Sequence, residues 1–488
     1  MDHIFTLHVL IDLYLKSGKR LYCAFVDYRK AFDFVDRVSL WNKMISMGIN
    51  GDLMRVVHNL YQNAKACIKK SNVVSNSFQV NVGVRQGENL SPLLFAIFLN
   101  DFELFISKCY DGLSAVSEEA KRFLSDEDRE VFLRLFSLLY ADDTIVLAES
   151  AEQLQLALSA VYEYCRIWNL TVNVDKTKIV IFSKKKTTEY PAFLFGHRNI
   201  QVVDHYVYLG VIFNFNGSFQ KAIDKQVTQG RKAFYSLLNK IRKLHLPIDI
   251  SIELFNQLVT PVLLYGCEIW GFSNLEQIEV LYRKFIKTIL YVKYSTPNCM
   301  IYGETGTMPI INSVITRMLT FYARLINGKP NKLSAMMSWM YNLIRKKHCS
   351  PDNYYSDWMH CIENSLGHLG MYDLWVYQGN GFPTEFIKNS VKRRVYDMYI
   401  QEWRADTQMH DFCDSYLNFK GNYGFEKYLT ELTFYQRLVL TKWRLRSNNL
   451  PISKCRFILN DNVICPFCPE CIGDEIHYLF NCSFFQTR

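Results

Sequence analysis

The 488-residue chain has no apolar run near the roughly 18 residues that a membrane-spanning helix requires, so a helical membrane protein and a membrane partner are excluded. It has no strong charge of one sign: 56 Lys and Arg against 47 Asp and Glu leave a net +9, which hints at a polyanionic partner and says nothing about fold. Its first residues, Met1-Asp2-His3-Ile4-Phe5, lack the basic segment and apolar core of a secretory signal. Internal repeats and low-complexity tracts are absent too. The 14 cysteines show no framework spacing; Cys23, Cys67, Cys165 and Cys267 sit in apolar stretches, which predicts buried thiols in a reducing compartment, nuclear or cytoplasmic. What is present is the composition of a folded soluble protein, 49% hydrophobic and 21% charged, long enough for roughly two to four domains.

The order of patterns predicts an α+β first part and a helical remainder. Ile4 to Lys16 has apolar residues at helical spacing and ends in the turn Ser17-Gly18-Lys19; the apolar run Leu21 to Val26 then reads as a strand that delivers Asp27 at its end. Phe78 to Val82 alternates as a strand, and Asn89-Leu90-Ser91-Pro92 opens an apolar helix with proline in its first turn. Residues 111–136 are polar, an inserted helical excursion. Leu138 to Leu147 reads as two strands around Asp142-Asp143, followed by an amphipathic helix from Ala151 to Trp168, a strand pair between Asn173 and Phe182, and further strands over 200–213. From Gln220 onward the period is helical, including Ala222 to Lys243 and Ile252 to Trp270.

Two adjacent acids inside an apolar strand pair contradict burial, and such contradictions mark functional sites. A hairpin tip is their natural place. If that hairpin lies beside the strand ending in Asp27, three carboxylates converge as two-metal nucleotidyl transfer requires; taken alone, Asp142-Asp143 reads more readily as an exposed turn. Basic residues interleave with aromatics in Lys184-Lys185-Lys186, Arg231-Lys232-Ala233-Phe234-Tyr235 and Lys240-Ile241-Arg242-Lys243, which suits phosphate contact beside base stacking or, equally, a solvated helix face. Near the end, Cys465-x2-Cys468-x8-His477-x4-Cys482 offers the ligand set of a closed structural zinc site, with Cys471 as an alternative third sulfur.

At this point a family resemblance becomes specific. Phe25-Val26-Asp27-Tyr28-Arg29-Lys30-Ala31-Phe32-Asp33 resembles motif A of the reverse transcriptases of non-LTR (LINE-type) retrotransposons; Gly83-Val84-Arg85-Gln86-Gly87-Glu88-Asn89-Leu90-Ser91-Pro92 resembles their motif B, and Tyr140-Ala141-Asp142-Asp143 their motif C. Asn173 to Phe182 resembles motif D, Tyr208-Leu209-Gly210-Val211 the primer-grip hairpin, and Pro261 to Trp270 a recurrent thumb stretch. The resemblance implies a right-hand polymerase: palm and partial fingers over 1–215, thumb-like helices over 216–300, an α-helical region over 301–460 and a zinc-knuckle-like tail over 461–488. It implies a chain shortened at both ends, without the first fingers strands or an upstream endonuclease.

It also implies roles. Asp27, Asp142 and Asp143 would hold Mg²⁺ or Mn²⁺, with Lys176 or Lys178 as general acid toward pyrophosphate. Phe32 would gate against a ribose 2′-hydroxyl, and Gln86 and Gly87 would line the incoming nucleotide. Lys225, Arg231, Lys232 and Lys240 would meet phosphates of template and primer. Cys465, Cys468, His477 and Cys482 would take Zn²⁺ in a cluster thought to contact nucleic acid. One residue departs: the family commonly has a small residue after Gln-Gly, and Glu88 there would repel a triphosphate unless it points away. The predicted function is RNA-directed DNA synthesis, with RNA template, DNA primer and deoxynucleoside triphosphates as partners; the sequence sets no oligomeric state. The competing reading is a catalytically silent remnant or co-opted nucleic-acid-binding protein. A group II intron maturase is a further enzyme reading, disfavoured by the form of motif A and by the Cys/His tail.

Overall fold

The computed structural model describes residues 1–110, 112–113, 137–140, 143–186, 189–328, 333–348, 357–378, 381–409, 413–450, 464–473 and 476–486. The polar excursion expected at 111–136 lies almost wholly outside them. The chain forms two compact units, Met1–Ala222 with Lys329–Tyr354, and Ile223–Gly328 with Tyr355–Arg488.

The first unit is built on β1, Leu21–Asp27, whose first six residues are buried. Such a strand needs a neighbour on each side and cover on both faces. The neighbours are β7 (Asp143–Ala148) and β8 (Lys178–Phe182), both antiparallel to it. The sheet runs β6-β7-β1-β8-β10-β9, with β6 Ser137–Tyr140, β9 Phe193–Phe195 and β10 Arg198–Val202. Side chains alternate across a strand. Tyr22, Ala24 and Val26 therefore share one face and join a core with α2 (Arg37–Ser46), α4 (Ser91–Phe98) and α6 (Ala151–Ile167) through Leu40, Phe95, Leu158 and Val161. On the opposite face Phe25 meets the hairpin of β11 (His205–Tyr208) and β12 (Val211–Asn214), its ring stacked on Tyr206 at 4.3 Å. The hairpin closes through Leu209 and Gly210, both at positive φ, the tight turn that matches strand twist.

Helix α1, Asp2–Lys16, ends where the Ser17 hydroxyl donates to the Leu13 carbonyl at 2.7 Å. It packs against the helix Leu333–His348, whose Tyr341 hydroxyl donates to Asp12 while Lys16 Nζ reaches the same hydroxyl at 3.3 Å. Between α3 (Gly51–Gln62) and α4 lie two short ribbons, Lys65–Ala66 (β2) with Phe78–Gln79 (β5) and Lys69–Lys70 (β3) with Val73–Val74 (β4); the segment Phe102–Ile106 (α5) follows. Two expected elements are shorter than their patterns suggest. The strand over Phe78 to Val82 stops at Gln79, because the Val80 and Val82 carbonyls are taken by Arg37 rather than by a strand. Of the strand pair over Asn173 to Phe182 only β8 forms; the Asn173 carbonyl accepts the N–H groups of Lys176 and Thr177 and closes a turn.

The second unit is helical. α7, Gln220–Leu244, enters it, and the single helix expected over Ile252 to Trp270 is three: Ile248–Leu258, Thr260–Leu263 and Cys267–Trp270. Pro261 starts the middle piece and Gly266, at φ +78°, separates it from the last. Phe255 stacks on Phe285 of α8 (Glu276–Ile289) at 4.2 Å, with Phe234 edge-on to the same ring. Ile310–Ile326 and Thr384–Met409 add long helices to this core, which also encloses charged side chains. The fully buried Glu304 carboxylate receives Arg444 Nε at 2.6 Å and the Tyr416 hydroxyl at 3.1 Å, and Arg444 reaches Glu426 at 3.4 Å. Among the described residues no helix is long and apolar enough to cross a membrane.

Candidate active site and metal centre

The acid site stands at the end of β1. In the antiparallel pairing of β1 with β7, Asp27 lies directly opposite Asp143. Directly opposed residues have Cα atoms about 4.5–5.5 Å apart with side chains on one face, and like charges so placed repel unless a cation lies between them. Both acids are only half-buried, so a solvated ion has access. Asp142 falls outside the described residues. The backbone of Asp27 is fixed from the motif D side: its N–H donates to Thr177 Oγ1 at 3.2 Å, and its carbonyl accepts the Asn173 N–H at 2.7 Å. Tyr206, stacked on Phe25 two residues before Asp27, feels the pair as well. Burial, then the charges of Asp143 and Asp27, push its phenol up to about 12.

Lys176 is exposed on the turn that holds Asp27, whereas Lys178 Nζ donates to Gln201 Oε1 at 2.9 Å. Of the two candidate acids, Lys176 is the one not tied to Gln201.

Motifs A and B meet beside this end of the sheet. Phe32 sits in a short 3-10 turn, Ala31–Phe34, its ring 5.2 Å from Phe95. Gln86 Nε2 donates to Asp33 Oδ1 at 3.2 Å. Gly83 makes the approach possible: at φ +80°, a Cβ there would lie 2.6 Å from the Asp33 carbonyl oxygen. Gly87, at φ +86°, has open space around it instead.

Sequence reasoning missed the residue that fastens this loop. Arg37 is buried, its ring-stacking guanidinium 5.0 Å from the centre of Tyr61, and it donates to the carbonyls of Gly83 at 2.9 Å, Tyr61 at 3.0 Å, Val80 at 2.7 Å and Val82 at 3.2 Å. Burial, and Arg85 nearby, depress its pKa. A signal was available: Asp36 caps α2 by accepting the Ser39 N–H at 2.8 Å, so Arg37 is a cation at a helix N-terminus, where the macrodipole disfavours one. Glu88, the residue that departs from the family pattern, is paired: its Oε1 lies 2.8 Å from Arg85 Nη1, while Arg85 Nη2 donates to the Leu60 carbonyl at 2.6 Å.

In the second unit, Lys225, Lys232 and Lys240 recur along one face of α7, with Arg231 about a third of a turn away. Arg231, Lys232 and Lys240 are exposed and Lys225 is half-buried.

At the end of the chain the ribbon Ile464–Cys465 (β13) with Cys468–Ile472 (β14) and the turn His477–Asn481 bring Cys465, Cys468, His477 and Cys482 together, one ligand atom from each within 4.8 Å of the others. Cys482 Sγ is 4.0 Å from Cys465 Sγ and 3.9 Å from Cys468 Sγ, close to the roughly 3.8 Å between sulfurs around a tetrahedral ion with 2.3 Å bonds and far beyond a disulfide. Burial works to raise the Cys465 thiol, but the Phe467 N–H, Tyr478, His477 and the Cys468 N–H overcome it and bring it down to about 6, which suits a thiolate ligand. Cys471 is exposed and stands outside this group.

A buried central strand ending in one acid, a neighbouring strand presenting another directly opposite, and a flanking hairpin against the same face form the layout of a polymerase palm. Residues 3–213 match the family model described as Reverse transcriptase (RNA-dependent DNA polymerase). The chain is 22% identical over 345 residues to a protein named Probable RNA-directed DNA polymerase from transposon X-element of Drosophila melanogaster, covering 68% of this chain and 35% of that protein. It is 24% identical over 349 residues to RNA-directed DNA polymerase from mobile element jockey of Drosophila funebris, covering 67% and 35%. A Pol polyprotein of type-1 retrotransposable element R2 from Nasonia vitripennis is 26% identical over 215 residues, covering 42% and 19%. Over residues 3–213 the chain thus resembles reverse transcriptases, and the relatives it is similar to carry the names of mobile elements, X-element, jockey and R2. The matched part spans 35% of the length of the first two relatives.

Proposed function

We propose that the chain is an RNA-directed DNA polymerase of a non-LTR retrotransposon, extending a DNA primer on an RNA template by nucleotidyl transfer. The observation that carries this reading is the cross-strand pairing of Asp27 with Asp143 at the mouth of the palm. Divalent ions bound there, Mg²⁺ or Mn²⁺, would supply Lewis-acid activation of the primer 3′-hydroxyl and neutralise triphosphate charge. The residues do the rest. Asp27, Asp142 and Asp143 offer the carboxylates, and Lys176 delivers a proton toward leaving pyrophosphate. Phe32, packed on Phe95, closes the sugar side of the nucleotide site, and Gln86 with Gly87 forms its loop wall. The lysine face of α7 meets template and primer phosphates without reading sequence. The Cys/His tail holds zinc and staples a small terminal fold.

The test is primer extension on poly(rA)/oligo(dT) with Mg²⁺ or Mn²⁺, beside Asp27→Asn and Asp142→Asn. Incorporation by the parent that falls by more than about a hundredfold in each variant, beyond what loss of an outer partner costs a metal site, supports the reading. Template binding without incorporation by the parent overturns it in favour of a co-opted nucleic-acid-binding protein.

A further inference from the structure

We propose that the second unit carries a stripe of exposed rings and cations on three helices that holds the unpaired bases of single-stranded nucleic acid.

The stripe starts on α7 at Tyr235, whose hydroxyl accepts from Lys284 Nζ of α8 at 2.9 Å, the ammonium lying 5.5 Å from the ring centre. Seven residues on, about 10 Å along the helix axis, comes Tyr291. This tyrosine ends α8 in the left-handed conformation, φ +57°, a position usually given to glycine, and its ring stays exposed. The ring stands edge-on to Phe434 at 5.4 Å. Phe434 and Tyr435 open α9, Phe434–Arg444, with their rings 5.6 Å apart, and the Arg437 guanidinium lies 5.7 Å from the Phe434 ring.

Single exposed aromatics are ordinary on protein surfaces; three exposed rings in mutual contact, Tyr291, Phe434 and Tyr435, are not. Tyr435 is 77% exposed at the first turn of a helix, where burial offers no reason for a tyrosine. That turn is held rigid by a capping box between Thr433 and Gln436, so the rings are presented on a fixed backbone. The helix N-terminus beneath them favours negative charge. Rings stack any base, and Lys284 beside Tyr235 and Arg437 beside Phe434, one arm of which donates to the Leu429 carbonyl at 3.1 Å, suit the phosphates that join successive bases, which is the chemistry of sequence-tolerant single-strand binding. The choice of nucleic acid as partner rests on the polymerase reading; the stripe itself includes none of the carboxylates.

The experiment measures binding of fluorescently labelled oligo(dT), oligo(rU) and a blunt duplex to the full chain by anisotropy. Tyr435→Ala and Phe434→Ala should each weaken single-strand binding on the order of tenfold, with little change for the duplex. Tyr435→Trp should bind as the parent does, and Arg437→Gln should lower the salt dependence by about one ion. The DNA and RNA arms report which strand the stripe prefers. Thermal melts matching the parent separate lost contacts from lost fold, and Tyr435→Ala, which removes a largely exposed ring, serves should Phe434→Ala fail to fold. Single-strand affinity unchanged in Tyr435→Ala and Phe434→Ala, or lost equally for single strand and duplex, overturns the stripe. Primer extension intact beside unchanged binding sinks the stripe alone; extension absent from the parent, with ring-dependent binding intact, sinks the polymerase reading alone.

Discussion

Replacing Arg37 by leucine removes the fastening of the motif B loop while leaving an apolar stem of similar length. Four hydrogen bonds go, to the carbonyls of Tyr61, Val80, Val82 and Gly83. At about 1 kcal/mol net for each, the loss is roughly 4 kcal/mol. Part is returned, because no ion pair to a carboxylate is formed by Arg37 among the described residues and the leucine relieves the desolvation of that cation. The balance is a destabilisation of roughly 2–4 kcal/mol. For a unit of this size each kcal/mol lowers the melting temperature by about 2–4 °C, so scanning calorimetry should show the first transition falling by roughly 5–15 °C. Arg37→Lys, with a point charge in place of a planar fork, should keep only part of the set and fall between parent and leucine. In primer extension both should raise KM for the nucleotide more than they lower kcat, since the clamp positions the loop bearing Gln86 and not the carboxylates. A leucine variant melting within about 2 °C of the parent, or a lysine variant equal to it, would refute the reasoning.

The two loop glycines should part company: Gly87→Ala has space and should cost only the roughly 1 kcal/mol of a left-handed alanine, whereas Gly83→Ala also drives its Cβ into the Asp33 carbonyl and should cost several times more, both read by thermal melting. Glu279 is buried, and burial raises its pKa above the ordinary 4.5 against the opposing pull of Tyr302, the Ile311 and Ile310 N–H groups and Arg283. A carboxyl raised on folding contributes fully below its unfolded pKa and loses that contribution as pH rises through the folded value, so Glu279→Gln should gain stability relative to the parent between pH 4.5 and neutrality and show no gain below. A difference that does not change with pH would contradict this. For the tail, metal analysis should find one zinc per chain, lost in Cys468→Ser and kept in Cys471→Ser, with chelation exposing the last residues to protease; equal zinc in both variants would exclude the four-ligand set.

Much of the palm could be read from period alone, because β1 and β7 are apolar runs whose acids break the pattern at their ends, and two such breaks brought opposite each other point to function more than either does alone. The position of the Cys/His tail was equally legible from spacing. What could not be read was set by contacts between segments distant in sequence. The pattern over Phe78 to Val82 is a fair strand, yet Arg37, more than forty residues earlier, takes its carbonyls. The helix over Ile252 to Trp270 looks continuous by period, and Pro261 and Gly266 cut it. The helix Leu333–His348 clusters with the first unit through Tyr341 and α1, a return of the chain that no local propensity encodes. Tyr206 reads only as an alternating strand residue; its place beside two carboxylates follows from how the hairpin lies on Phe25.

Glu88 shows how a departure from a family pattern changes meaning once its neighbours are known. From sequence it is an extra negative charge next to a triphosphate pocket, an argument against catalysis. In the fold its carboxylate lies 2.8 Å from Arg85, and Arg85 is held in turn by the Leu60 carbonyl and by the Tyr61 ring, 5.5 Å from the guanidinium. The pair is neutral and leans toward α3. Both partners are about two-fifths exposed, so it adds little to stability, of the order of 0–1 kcal/mol. Its effect is on local potential: the field at the loop is that of a dipole, which falls off faster than that of a lone acid. The same Tyr61 ring also carries Arg37, 5.0 Å from its centre, so the clamp on the motif B backbone and the neutralisation of Glu88 share one aromatic platform. If the loop lines a nucleotide as proposed, Glu88 is admissible there because Arg85, three residues before it, neutralises it while the Leu60 carbonyl and the Tyr61 ring of α3 hold that arginine in place.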